Sequence, residues 1–228
     1  MSDFYLTALL PIQKEYNYYL PNRNFLRFNS KPMYQYMIEK LLAFPQFESI
    51  VINTDSDEVK DYCKWNGKLR IIDRPESLMG EEVTNDMITT HTLENISGEH
   101  FIEFQCFNPL VTNYTIESFI KQYMDYIVPN EFFDSLLSMQ RHELRNYDIA
   151  KRELNDEFPF VIFENRIIQG FNRTTFKRQG NKKFGKMAML FEIKEIENTL
   201  VDSEANYELA KLVYANRDKF PSVFHSGV

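Results

Sequence analysis

Phe4-Tyr5-Leu6-Thr7-Ala8-Leu9-Leu10-Pro11-Ile12 opens the chain with a short, almost continuous apolar run. Such a run, ending on a turn, predicts a parallel strand buried on both faces, since a half-exposed strand would alternate. A loop follows from Gln13 to Pro21, then Asn22-Arg23-Asn24, and a helix opens near Ser30-Lys31-Pro32. Strand, basic loop and helix is the order in which α/β proteins hold nucleotide phosphates. A phosphate cradle normally uses glycines so that backbone can approach the anion. Here the first glycine is Gly67, and the loop carries Lys14, Glu15, Tyr16, Tyr18 and Tyr19. The scaffold reads like that of a nucleotide enzyme, and its first working loop reads as altered.

The same alternation continues along the chain. Met33, Met37, Ile38, Leu41 and Leu42 share a helical face behind Pro32, an acceptable first-turn proline. Strands are predicted at Ser49–Thr54, Leu69–Ile72, His100–Phe104, Ser135–Met139, Pro159–Phe163 and Met187–Ile193. Helices are predicted at Asp57–Trp65, Thr84–Leu93, Ile116–Tyr126 and Ser203–Asn216. Strands alternating with helices of this length predict an α/β fold, a three-layer α/β/α sandwich around a mostly parallel sheet. No linker or repeat divides residues 1–228, so one domain is expected. Ligands in such sheets sit beyond the carboxyl ends of the strands, where Pro11, Asp55, Arg74 and Gln105 fall.

Composition narrows the partners. Asp and Glu number 33 against 26 Lys and Arg, which argues against a general nucleic-acid binder. Cys63 and Cys106 show neither zinc spacing nor a disulfide pattern, so a reducing cytoplasm is expected. The apolar run at the start is too short for a membrane span and lacks the basic flank of a signal peptide. Seven basic residues between Arg166 and Lys186 read either as a solvated loop or as an anion-facing or subunit-contact arm.

Each polar residue at a strand end has a plain structural account. Asp55 would cap the helix that starts at Asp57, Arg74 would cap a strand end, and Gln105 would satisfy backbone groups at the sheet rim. His142 reads equally as a surface residue. Their common position, beyond strands of one sheet, favours a nucleotide pocket.

Taken in order, the motifs resemble those of the acylneuraminate (sialic acid) cytidylyltransferases, from about Leu6 to Leu212. Ala8-Leu9-Leu10-Pro11-Ile12 with Pro21-Asn22-Arg23-Asn24 is similar to the family's first strand and loop end. Ser30-Lys31-Pro32-Met33 resembles its Gly-Lys-Pro-Leu, Ile52-Asn53-Thr54-Asp55 its Val-Ser-Thr-Asp, and Arg74-Pro75-Glu76-Ser77-Leu78 its Arg-Pro-x-x-Leu. Gln105-Cys106-Phe107-Asn108-Pro109-Leu110 stands where the family has Gln-Pro-Thr-Ser-Pro-Leu. Asp134-Ser135-Leu136-Leu137-Ser138 with Arg141-His142, Gly185-Lys186-Met187-Ala188, and Val201-Asp202-Ser203 complete the set.

The resemblance implies a nucleotide-diphospho-sugar transferase-like, Rossmann-like fold. It implies transfer of CMP from CTP to an acidic 2-keto sugar or a related small acceptor, with release of pyrophosphate and use of Mg²⁺. Gln13, Lys14, Arg23, Asn24, Arg74 and Gln105 would then bind nucleotide. Gln105, Asn108, His142, Asn165 and Lys186 would face the acceptor. Arg23 and Asp202 would serve catalysis, Asp202 as the metal ligand. A homodimer is implied; because the acceptor and dimerisation segment near 140–186 is shortened, Phe132, Phe133, Phe158 and Phe160 are expected to provide an apolar contact instead.

The departures concern the same chemistry. Gln13 replaces an arginine, the loop lacks its glycines, and Leu200 stands where a first metal aspartate is expected. Glu192, Glu195 and Glu197 offer a substitute carboxylate but read better as strand-end charges. Beside the enzyme stands a second reading, a pseudoenzyme that keeps the fold and binds nucleotide or a partner. A third, a glycosyltransferase of similar architecture, would need Asp55-Ser56-Asp57 as its metal motif.

Overall fold

The computed structural model describes residues 5–14, 20–80, 82–129, 132–142, 146–148, 150–155, 161–219 and 221. Part of the first loop (Glu15 to Tyr19), Phe158 and Phe160 lie outside the described residues.

Seven strands form the central sheet: β1 (Leu6–Ile12), β4 (Phe47–Thr54), β5 (Leu69–Asp73), β6 (His100–Phe104), β7 (Ser135–His142), β10 (Val161–Asn172) and β11 (Ala188–Glu192). Two short hairpins lie outside it, β2 (Arg27–Phe28) with β3 (Lys31–Pro32), and β8 (Asn146–Asp148) with β9 (Glu153–Asn155). The order across the sheet is β11-β7-β10-β6-β1-β4-β5. All strands run one way except β10, which is antiparallel to both neighbours.

The opening run explains why β1 is central. Leu6, Ala8, Leu10 and Ile12 join the larger core, packed with Tyr34, Met37, Ile38 and Leu41 of α1 (Met33–Leu42) and Ile116, Phe119 and Ile120 of α4 (Asn113–Gln122). Val59 and Cys63 of α2 (Asp57–Cys63) belong to the same core. Leu9 points the opposite way, into a cluster with Val51, Phe101, Leu93 of α3 (Asn85–Glu94) and Phe176 of α5 (Arg173–Arg178). Alternate residues of one strand thus serve two helical layers, which gives the three-layer sandwich. The last helix, α6 (Glu204–Ala215), packs Ala210 against Phe28, Met33 and Val201 in a third cluster.

Several local expectations change. Pro32 is the N-cap of α1 and not its first-turn residue. Ser56, not Asp55, caps α2, its hydroxyl accepting from Val59 N at 3.4 Å. Asp55 is taken instead by the backbone N–H of Lys14, at 2.6 Å. The basic segment is a loop only in part: Arg166 to Asn172 belong to β10, and Arg173, Lys177 and Arg178 to α5. Its other basic residues follow that helix, where Lys183 is buried. Among the aromatics expected at an interface, Phe132 is 75% exposed, but Phe133 packs against the core.

Gly185 shows why one glycine is fixed. A Cβ there would lie 2.0 Å from the Asp134 carboxylate, which accepts from Ser135 Oγ and Met187 N. Gly185→Ala is expected to cost about 1–3 kcal/mol, the range for overpacking a closed site. Chemical denaturation of the two proteins checks this; an unchanged midpoint would mean that Asp134 moves aside freely.

Candidate functional site

β1 has β4 on one side and β6 on the other, so strand order reverses beside it and a crevice opens at its carboxyl end. Gln13 follows β1 directly. Its main-chain oxygen accepts from Asn24 Nδ2 at 3.1 Å, and its side-chain oxygen from Arg74 Nη1 at 3.2 Å. Arg74 follows β5 and is only 5% exposed. Its Nε donates to Asn53 Oδ1 at 2.8 Å and its Nη2 to Asn53 O at 2.9 Å. Burial draws the guanidinium pKa down, while Asp55 and Glu103 oppose that effect. Asn53, near the end of β4, donates in turn to Thr92 Oγ1 at 2.9 Å and lies 3.1 Å from His91 Nδ1, both on α3. Three strand ends and one helix are thereby locked around a single guanidinium.

Arg23 comes from the short 3₁₀ turn Arg23–Phe25, which follows Asn22 in the left-handed region (φ 54°). Its guanidinium carbon lies 3.8 Å from the centre of the Phe107 ring, close enough for a cation–π contact. Asn24 is nearly buried, and its Oδ1 has no hydrogen-bond partner among the described residues. A buried unpaired acceptor beside a cleft is a place for a ligand donor.

Gln105 lies just past β6. Its Nε2 donates to Glu103 Oε1 at 3.2 Å. Glu103 also accepts from Asn85, Thr89 and Lys183. Arg166 arrives by a different route. Between the pairs Glu164–Met139 and Gln169–Leu137, four residues of β10 face Ser138 alone on β7. Ser138 Oγ fills this bulge, accepting from Ile168 N at 2.9 Å and donating to Asn165 Oδ1 at 2.5 Å. Arg166 sits at the bulge with φ 57° and reaches the rim of the crevice. Bulges of this kind re-aim a side chain out of the sheet's regular alternation.

Together Gln13, Arg23, Asn24, Arg74, Gln105 and Arg166 line one cleft of about 230 Å³, with Asn85 and Phe107 completing its wall. Among the described residues that line it, three are arginines and none is acidic, in a chain of net charge −7. Such a cleft attracts a polyanion. It contains five of the expected nucleotide and acceptor residues.

The remaining candidates lie elsewhere. Lys14 is exposed and is held by its backbone to Asp55. Asn108 is fully buried, and both polar atoms of its amide lack partners among the described residues; it does not line the cleft. The His142 ring packs edge-on to Phe163, with centroids 5.5 Å apart, and Lys186 is exposed away from the cleft. Asn165 braces the bulge and donates to Asn198 Oδ1 at 2.8 Å. Asp202 lines a second cavity of about 670 Å³ with Leu200, Gln140 and Asn198. Its segment is tied to the first cleft's wall, since Val201 N donates to Phe107 O at 2.8 Å.

A sequence reading misses Asn53, Asn85, Glu103 and Lys183. Glu103 carried a usable signal, because an acid inside the apolar run His100–Phe104 demands a buried partner. Lys183, eighty positions away, could not be paired with it without the fold.

A family model described as cytidylyltransferase matches residues 19–225. The chain belongs to the cytidylyltransferase family. The 8-amino-3,8-dideoxy-manno-octulosonate cytidylyltransferase of Shewanella frigidimarina is 27% identical over 146 residues, which are 64% of this chain and 55% of that protein. An N-acylneuraminate cytidylyltransferase of Streptococcus agalactiae is 24% identical over 113 residues, 49% of this chain and 27% of its own length. The chain thus spans about half, or less, of the length of these two relatives. Among solved structures, a CMP:2-keto-3-deoxy-manno-octonic acid synthetase complexed with CTP shares the fold, with a TM-score of 0.66 at 13% identity, over 93% of this chain and 99% of that one. Among the described residues, no helix is long and apolar enough to cross a membrane.

For this family member, the donor set at Asp202 decides how a divalent cation would be held. No group of three or more acidic, His or Cys residues that could hold a metal occurs among the described residues. The Oδ1 of Asp202 already accepts from Asn206 Nδ2 at 2.8 Å, and the amide oxygens of Gln140 and Asn198 accept from protein donors. One carboxylate fits Mg²⁺ only as a partial ligand, completed by phosphate oxygens and water.

Proposed function

We propose that the chain transfers a cytidylyl group from CTP to a hydroxyl of an acidic 2-keto sugar, releasing pyrophosphate. The observation that carries this reading is the arginine-lined cleft at the switch point, where Arg23, Arg74 and Arg166 converge with Gln13, Asn24 and Gln105. The resemblance to a synthetase solved with CTP supports the nucleotide, and the octulosonate and acylneuraminate relatives support the acceptor class. In the reaction the acceptor oxygen bonds to the α-phosphorus as the bond to pyrophosphate breaks. Arg23 and Arg74 would neutralise the phosphates, and Arg166 would meet the acceptor's carboxylate. Mg²⁺, held by Asp202 and the phosphates, would supply further charge neutralisation.

Leu200 and Gln13 favour one other reading, a protein of the same fold that binds nucleotide without turning it over. Pyrophosphate release from CTP and other nucleotides, tested with several 2-keto acid sugars and Mg²⁺, separates the two. Binding without release would support the second. Arg23→Ala is expected to weaken CTP binding by about 1.5–3 kcal/mol, the range for a charge-assisted contact. Unchanged affinity by calorimetry would remove Arg23 from the site.

A further inference from the structure

Beneath the cleft lies a charge pair that the reaction itself does not call for. Lys183 Nζ is 2.7 Å from Glu103 Oε1, and both side chains are 2% exposed. Desolvating two ions costs several kcal/mol each, and replacing such pairs by apolar groups is often neutral or stabilising. Stability alone is therefore a weak account of it. Glu103 gathers three more donors: Asn85 Nδ2 at 2.5 Å and Gln105 Nε2 at 3.2 Å on Oε1, and Thr89 Oγ1 at 2.8 Å on Oε2. With Lys183, three donors converge on Oε1 and one on Oε2, so both carboxylate oxygens are engaged by protein donors. An ionised carboxylate accepts and cannot donate, so each neighbouring amide must turn its NH₂ toward it. Asn85 and Gln105 both line the cleft. With nitrogen turned inward, each has its carbonyl oxygen left for a ligand.

We propose that the Lys183–Glu103 pair is a positioning device that fixes the hydrogen-bond polarity of the cleft floor, so that Gln105 and Asn85 present acceptors and the group bound there must be a donor. A hydroxyl of the acceptor sugar and the amino group of a cytosine base share that chemistry. The inference rests on the cleft being the nucleotide and acceptor site, and it states what that site selects.

The test compares wild type with Lys183→Met and with the double variant Glu103→Gln/Lys183→Met, a near-isosteric neutral pair. Nitrogen-detected NMR of the side-chain amides in the free protein comes first, and it needs no activity. In wild type the NH₂ signals of Gln105 and Asn85 are expected to show one hydrogen-bonded, slowly exchanging proton each. The double variant should lose that protection in at least one, because an amide at position 103 can turn either face to them. Calorimetry then compares CTP with UTP, and a 2-keto acid sugar with its analogues lacking single hydroxyls. Wild type should prefer the donor-bearing member of one comparison by about tenfold or more, the worth of one buried hydrogen bond. The double variant should recover the thermal midpoint lost in Lys183→Met while that preference falls to about twofold. The comparison that collapses identifies the base or the sugar as the source of the donor. Preference that survives in a double variant with restored midpoint would overturn the proposal, as would unprotected amides in wild type. If wild type binds neither nucleotide nor sugar, the proposed function fails, while the NMR result still decides whether Glu103 orients the two amides.

Discussion

Arg74→Ala is expected to lower CTP turnover by at least about 10²–10³, the scale of removing one preorganised electrostatic contact. It should also destabilise the fold by about 2–4 kcal/mol. The second number follows from what remains behind. Asn53 Oδ1 and Asn53 O lose their donors in a buried setting, and each such orphan costs about 1–3 kcal/mol. Gln13 loses the group that holds its side-chain oxygen, so the exit of β1 is no longer tied to that of β5. Arg74→Lys separates charge from geometry. Lysine keeps the cation but cannot span Asn53 and Gln13 with a planar fork. It should retain most of the stability yet weaken CTP binding by about tenfold or more. Calorimetry beside urea denaturation reads both effects. A lysine variant with wild-type affinity would mean that only the charge at this position matters.

The legibility of Arg74 differs from that of its partners, and the difference is physical. The strand ends were readable because apolar runs stop where the backbone leaves the sheet. Pro11, Arg74 and Gln105 therefore stood out without any fold in hand. The helices were readable from their caps and apolar faces, with the first of them entered at Pro32 as an N-cap. Asn53 was not readable, since one amide in a strand of apolar residues has no periodic signature. Its meaning comes from α3, whose Thr92 and His91 lie about forty positions away. Asp55 misled for a related reason. An acid before a helix usually caps it, but Ser56 took that role and released Asp55 to anchor Lys14. The reversed strand β10 is the least legible of the sheet's strands. Only its first residues looked like a strand, because the bulge at 165–168 breaks the alternation that would reveal the rest. The same bulge carries Arg166 to the cleft, so what hid the strand also built part of the site.

Asp202→Ala is expected to bring turnover below detection while leaving the fold intact, because Asp202 is exposed and its carboxylate accepts from the neighbouring Asn206 side chain. The reason lies in number. One carboxylate holds Mg²⁺ only together with phosphate oxygens, so the free protein should show no measurable Mg²⁺ affinity, and Mg²⁺ should bind only with the triphosphate. Leu200→Asp tests whether the absent partner matters. Leu200 and Asp202 line the same cavity, and Asp202 N donates to Leu200 O at 3.0 Å, so a bend brings the two positions side by side. Leu200 is also packed against the core, and replacing it should cost about 1–2 kcal/mol of stability, part of the value of a buried leucine. Circular dichroism must therefore confirm folding first. In a folded variant, a weakened enzyme should gain Mg²⁺-dependent CTP affinity, and with it turnover. Affinity measured with and without Mg²⁺ reads the metal separately from the chemistry. No gain in either would favour a nucleotide-binding protein that has lost the reaction, because a second carboxylate beside Asp202 supplies what a partial metal site lacks.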